Sequence, residues 1–203
     1  MLHTFTGGAD GAIPQGGLVR DSEGNLYGVT SEGGDLSACD GLGCGVVFKV
    51  DPAGNQSVLY TFSGGSDGST PAAGLIRDAE GNLYGTTALG GAYGSGAVFH
   101  LNPTGQETVL YSFQGAAGSY PSGSLLLGPS GMIWGTARFG GSRGYGTLFV
   151  LGPGGNEKVL HDFINGSDGD GPQAGLLAFG GALYGTTFYG GSGHGTVFKL
   201  ALH

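Results

Sequence analysis

Asp10, Asp67 and Asp168 each stand four residues before a proline, Pro14, Pro71 and Pro172. Carboxylates that recur in one register could form a ring that binds Ca²⁺, or could supply the acid and the base of sugar chemistry. The plainer reading is that each caps its own Asp-Gly turn by accepting from nearby backbone amides. That reading is favoured, because identically placed residues of a repeat sit at equal radius and far apart, whereas a catalytic pair normally breaks symmetry. Asp170 adds a second carboxylate in Asn165-Gly166-Ser167-Asp168-Gly169-Asp170-Gly171. The stretch resembles a calcium loop without its terminal Glu, which makes Asp168 and Asp170 the candidate metal ligands and calcium the one candidate cofactor.

Other reactive side chains are less suggestive. Thr86, Thr87, Thr186 and Thr187 are not accompanied by a Ser-His-Asp order or a G-x-S-x-G elbow, and are expected to be strand residues. His3, His100, His161, His194 and His203 do not cluster at ligand spacing, and of these His194 alone falls in a variable loop. Positions that differ between otherwise similar units are better functional candidates, since the scaffold fixes the rest. They are Tyr93, Arg138, Phe139, Arg143, Tyr145, Phe188, Tyr189 and His194, all on glycine-rich loops. Aromatic and Arg side chains there suit stacking on sugar rings or anchoring a protein; the bland alternative is that they pack over neighbouring loops. Cys39 and Cys44 lie in an insertion, and a disulfide closing a small loop is expected of them, with two free thiols or a metal pair as alternatives.

The elements that must position these residues repeat through the chain. Phe48, Phe99, Phe149 and Phe198 recur at spacings of 51, 50 and 49 residues. Tyr27, Tyr84, Trp134 and Tyr184 recur at 57, 50 and 50, the long first interval reflecting the insertion between Gly34 and Gly45. Phe5, Phe62, Phe113 and Phe163 form a third series in the same phase, and Pro14, Pro71, Pro121 and Pro172 a fourth. Such a period marks a tandem array. The units run at approximately 14–62, 71–113, 121–163 and 172–202, with a strand at 2–5 before them.

In the second unit, Gly74 to Arg77, Asn82 to Thr87, Ala97 to Leu101 and Glu107 to Phe113 read as four strands separated by turn residues. No stretch has helical periodicity. Four antiparallel strands per unit of about 50 residues predict an all-β fold, a β-propeller with four four-stranded blades in this chain. Leu2-His3-Thr4-Phe5 aligns with a fourth strand, and Gly195 to Leu202 with a third. The N-terminal strand is therefore expected to close the ring by pairing with the last blade. A single-chain ring, a homodimer forming an eight-bladed ring and a segment of a longer array all fit this register.

Composition narrows the partners. The 203 residues carry a net charge of −8, with seven scattered basic residues, so nucleic acid is not an expected partner. No apolar run is long enough for a membrane span, and Met1 to Gly7 does not read as a signal peptide. The 48 glycines are periodic and so belong to turns and close strand approaches rather than to a flexible tract.

Phe62-Ser63-Gly64-Gly65-Ser66-Asp67-Gly68-Ser69-Thr70-Pro71 and Leu83-Tyr84-Gly85-Thr86-Thr87, with the G-(T/A)-V-F-(K/H)-L strand, resemble the GloVer tandem repeat of bacterial, largely exported proteins. The resemblance covers all four units. The third departs most, since Gln114 to Pro121 is one residue short and lacks the Asp, and Trp134 replaces Tyr. The likeness implies an extracellular or cell-surface location and carries no established activity. The layout is also similar to NHL repeats, which implies that Gly74 to Arg77 lines the channel. The leading expectation is a non-enzymatic module that binds a glycan or protein through its glycine-loop face; a polysaccharide hydrolase or lyase and a purely structural scaffold are the alternatives.

Overall fold

The structure, a computed structural model, describes residues 1–202; His203 lies outside the described residues. Blade 1 is β1 (Ala12–Arg20), β2 (Leu26–Glu32), β3 (Val46–Val50) and β4 (Gln56–Thr61). In blade 2 the inner strand is split into β5 (Ser69–Pro71) and β6 (Ile76–Arg77), followed by β7 (Leu83–Leu89), β8 (Ala97–Leu101) and β9 (Glu107–Ser112). Blade 3 comprises β10 (Leu126–Leu127), β11 (Ile133–Ala137), β12 (Thr147–Leu151) and β13 (Glu157–Asp162). Blade 4 comprises β14 (Asp170–Pro172), β15 (Leu177–Phe179), β16 (Ala182–Tyr189) and β17 (Thr196–Ala201). The four antiparallel sheets follow one another around a common axis as the blades of a β-propeller. Among the described residues helical structure is limited to isolated 3₁₀ turns, as the missing helical periodicity predicts.

The repeat keeps the residues it does because of how the blades pack. Gly85 pairs with Phe99 across β7 and β8, and a Cβ on Gly85 would stand 2.6 Å from the tip of the Phe99 ring. Any side chain there would expel the ring from the core. Phe99 is in turn met edge-on by Phe62, which follows the outer strand of the preceding blade, at 5.1 Å between centroids. Phe113 on Phe149 (5.0 Å) and Phe163 on Phe198 (5.2 Å) repeat the contact. Burial of a ring contributes about 1.5–3 kcal/mol and the edge-to-face geometry about 0.5–1.5 kcal/mol more. A Cβ on Gly74 would lie 2.9 Å from the Gly17 backbone and 3.3 Å from Ser124 Oγ, so the inner strands of successive blades approach closely.

One detail differs from the sequence reading. Leu2–Phe5 forms no strand with the last blade, and among the described residues β17 is paired with β16 alone. Phe5 instead meets Phe48 of blade 1 edge-on at 5.0 Å. The physical reason is local: blade 1 presents the same aromatic socket as every other blade, and Phe5 fills it whether or not its backbone has found a neighbouring strand.

Candidate functional site

The turns fall into two kinds. Those between third and fourth strands are short and self-capped: Asp51 Oδ1 accepts from the amides of Ala53 at 2.9 Å and Asn55 at 2.8 Å, and Asn102 does the same for Thr104 and Gln106. Between β1 and β2, Asn25 and then Tyr27 donate to Asp21 and hold its carboxyl near 2, below the usual range. Such turns satisfy their own polar groups and leave little to offer a ligand. The longer glycine loops, between second and third strands and between fourth and first, gather on the opposite face, where binding groups are commonly presented by a rigid scaffold.

The three recurrent aspartates are turn caps. Asp67 accepts from Ser63 N at 2.7 Å, Ser63 Oγ at 2.6 Å and Tyr60 Oη at 3.0 Å. Asp168 accepts from Ile164 N at 2.9 Å and lies 2.9 Å from His161 Nε2, and Asp10 caps Thr6 in the same way. Among the described residues no group of three acidic, His or Cys side chains could hold a metal ion; Asp168 is committed to its turn, and Asp170 pairs in register with Tyr189 on β16. Cys39 and Cys44 form the expected disulfide.

Of the variable-loop candidates, the structure brings five together. The Arg138 guanidinium lies over the Phe139 ring at 4.7 Å, and Tyr120 meets the same ring edge-on at 6.0 Å. A Cβ on Gly171 would be 3.9 Å from both Arg138 Cγ and Phe188 Cβ, so Gly171 is a gap through which blade 3 and blade 4 share one surface. Phe188 and Tyr189 stack edge-on at 4.6 Å and, with His194, Thr186, Thr187 and Gln173, line an open cleft of about 700 Å³. Tyr93, Arg143 and Tyr145 do not join this cluster. Tyr93 is exposed on blade 2, Arg143 is exposed at its loop tip, and Tyr145 packs into the core between blades 3 and 4.

Sequence reasoning missed Gln173, Tyr120 and the cleft role of Thr186. Gln173 follows Pro172 at the place where the other units carry Gln15, Ala72 and Ser122, so the same comparison of copies could have found it. Thr186 sits on β16 as expected of a strand residue, and only the fold shows that this strand end borders a cleft.

The family model of the Gloeobacter/Verrucomicrobia repeat matches residues 1–201. The chain belongs to that repeat family. Its repeat phase, aromatic ladder and glycine positions are those just described, and membership confirms the resemblance seen in the sequence. No curated protein matches the chain.

Among solved structures, the GloVer fold is similar to a gluconolactonase from Xanthomonas campestris, with a TM-score of 0.57 and 18% identity over 96% of this chain and 62% of the other. A streptogramin B lyase matches with a TM-score of 0.55 and 19% identity over 93% and 54% of the two chains. A luciferin-regenerating enzyme matches at 0.52 and 14%, over 91% and 60%. The chain thus spans less than two thirds of each of these proteins, and at such identities the likeness establishes the fold. The leading functional expectation, a non-enzymatic binding module, is corrected by these comparisons, since all three of these propellers are named as enzymes.

Proposed function

We infer that this chain carries the site of a hydrolase or lyase acting on a carbohydrate or a sugar-derived cyclic ester, in the cleft on the glycine-loop face of blade 4. The observation that carries the reading is the convergence of His194, Tyr189, Phe188 and Gln173 on one open cleft, with the Arg138 guanidinium beside it across Gly171. Opening an ester and eliminating across a glycosidic bond share two requirements, a proton acceptor and a positive group near the developing anion. In this reading His194 is the acceptor and Arg138 the positive group. Phe188, Tyr189 and the Arg138–Phe139 stack supply flat apolar faces for a sugar ring, and Gln173 a hydrogen-bonding edge. The names of the gluconolactonase and the lyase support this class, and the Cys39–Cys44 disulfide supports an oxidising, extracytoplasmic setting.

The test is turnover on a panel of sugar lactones and polysaccharides, following acid release for hydrolysis and ultraviolet absorbance of an unsaturated product for elimination. The native protein is expected to turn over at least one class. His194→Ala should lower kcat by about 100-fold or more, the usual contribution of a positioned acid or base, while Tyr93→Phe, outside the cleft, changes nothing. Absence of turnover on every class, or full activity in His194→Ala, overturns the assignment.

A further inference from the structure

The blades at the two ends of this array carry opposite halves of one interface. Val47, Val98 and Leu148 occupy one repeat position and are 0% exposed, each covered by the following blade, whereas Val197 at the same position of β17 is 82% exposed. On the other side, Leu75 and Leu125 are 6% and 4% exposed beneath the preceding blade, but Leu18 of blade 1 is 57% exposed. Leu18 lines an apolar groove of about 440 Å³ with Pro14, Leu26 and Val29.

Every internal junction shows what is missing. Cβ positions on Gly45, Gly96 and Gly146 lie 2.7, 2.6 and 2.6 Å from Cδ of Pro71, Pro121 and Pro172 of the next blade. The corresponding Gly195 meets no proline, and the unused proline of the series is Pro14. The residue before each proline is left-handed, Thr70 at φ 56°, Tyr120 at 58° and Gly171 at 66°. Each donates its amide to the preceding blade, to Cys44 O at 3.0 Å, Ser95 O at 2.9 Å and Tyr145 O at 2.9 Å. Ile13 holds the same conformation at φ 53°, unusual for a β-branched residue, and makes no such bond. The acceptor at the equivalent position is the His194 carbonyl. Leu2–Phe5 completes the pattern. The Leu2 carbonyl lies against Gly54 as those of Leu59 and Leu110 lie against Gly105 and Gly155, and Phe5 sits on Phe48 as Phe62 sits on Phe99. This segment already occupies the place of an outer strand belonging to a preceding blade, while among the described residues nothing pairs with the outer edge of β17.

The geometry points to a second copy of this chain as the occupant of both faces: two copies dock head to tail, each laying Leu2–Phe5 along β17 of the other and seating Pro14 and Ile13 against Gly195 and His194, to close an eight-bladed ring. The choice of occupant follows from the chain holding both the projecting strand and the gap it fits, each built from the same repeat positions as the junctions inside the molecule. A contact between unlike surfaces either closes or grows without limit, and the proposal is that two copies close it. The assembly also finishes the cleft. Between blades 1 and 2 the equivalent cleft is walled by Ser31, Glu32 and Gly43 on one side and Thr70 and Leu89 on the other. At the end of blade 4 those second-side positions fall to Ile13 and Glu32 of the second copy, which brings a carboxylate beside Tyr189 and His194. The second copy borders the cleft of the enzymatic reading, but the proposal rests on the junction geometry, and a mass measurement tests it without reference to turnover.

Light scattering coupled to size exclusion decides it. A mass twice the 20.1 kDa of one chain is expected. Val197→Glu, which alters only an exposed side chain of the single chain, should halve that mass with an unchanged far-ultraviolet circular dichroism spectrum, and Leu36→Glu, also exposed but off the interface, should leave it doubled. A single-chain mass for the native protein at every concentration, an open-ended ladder of masses, or a doubled mass that survives Val197→Glu each overturns the proposal.

Discussion

Glu107 shows how one side chain can be tuned by the repeat. It begins β9 at the position held by Gln56 in blade 1, where Gln56 Nε2 donates to the Asp10 carbonyl at 3.1 Å. Glu107 cannot donate when ionised, and its Oε1 is buried without a partner. Burial, and then the neighbouring charge of Asp67, push its carboxyl up to about 7. A carboxyl raised in the folded state binds a proton that the unfolded chain has released, so its contribution is complete below the unfolded value of 4.5 and is lost as pH rises through about 7. Glu107→Gln, which restores the Gln56 arrangement, should raise stability at pH 8 by on the order of 1 kcal/mol, allowing for solvent screening, and leave it unchanged at pH 4. Chemical denaturation at the two pH values checks this, and an equal effect at both would contradict the assigned titration.

At the scale of the element, the aromatic ladder is the principal bond between blades. Phe99→Ala removes a fully buried ring and should cost about 3–5 kcal/mol. Phe188→Ala removes an exposed ring and should change stability by less than about 0.5 kcal/mol. Guanidinium unfolding of the two variants separates them; similar losses would mean that the ladder does not carry the packing. The ladder is also why the strands were legible in the sequence. Phe99 must lie opposite Gly85, and that steric demand repeats in every unit, so the spacing alone locates second and third strands. The inner strand was read less well. Pairing starts at Ser69, in β5 around the left-handed Thr70, and breaks over 72–75 before resuming in β6, whereas the sequence pattern starts the strand at Gly74, and nothing in the composition of Ser69-Thr70-Pro71 announces the earlier start. The site was only partly readable for a similar reason. Variation among copies picks out Arg138, Phe139, Phe188, Tyr189 and His194, but whether two loops share a surface depends on which blades are neighbours. The same variation picks out Tyr93 and Tyr145, which face elsewhere.

At the scale of the whole molecule, the four-unit phase gave the propeller but not the fate of its ends. Leu2-His3-Thr4-Phe5 has the pattern of an outer strand wherever it binds, and its pairing is decided by tertiary contact rather than by its own residues. The structure seats Phe5 on blade 1, and among the described residues nothing pairs with the outer edge of β17, where Val197 is exposed. An edge of that kind is a liability that folded proteins cover or pair. The central claim is that this edge is the counterpart of Leu2–Phe5. Hydrogen exchange of the native protein, read residue by residue over Thr196–Ala201, addresses it most directly. Protection across β17 matching that of β3, β8 and β12 is predicted, because each of those is flanked on both sides. Exchange of its outward-facing amides as fast as those of a free edge would contradict the claim.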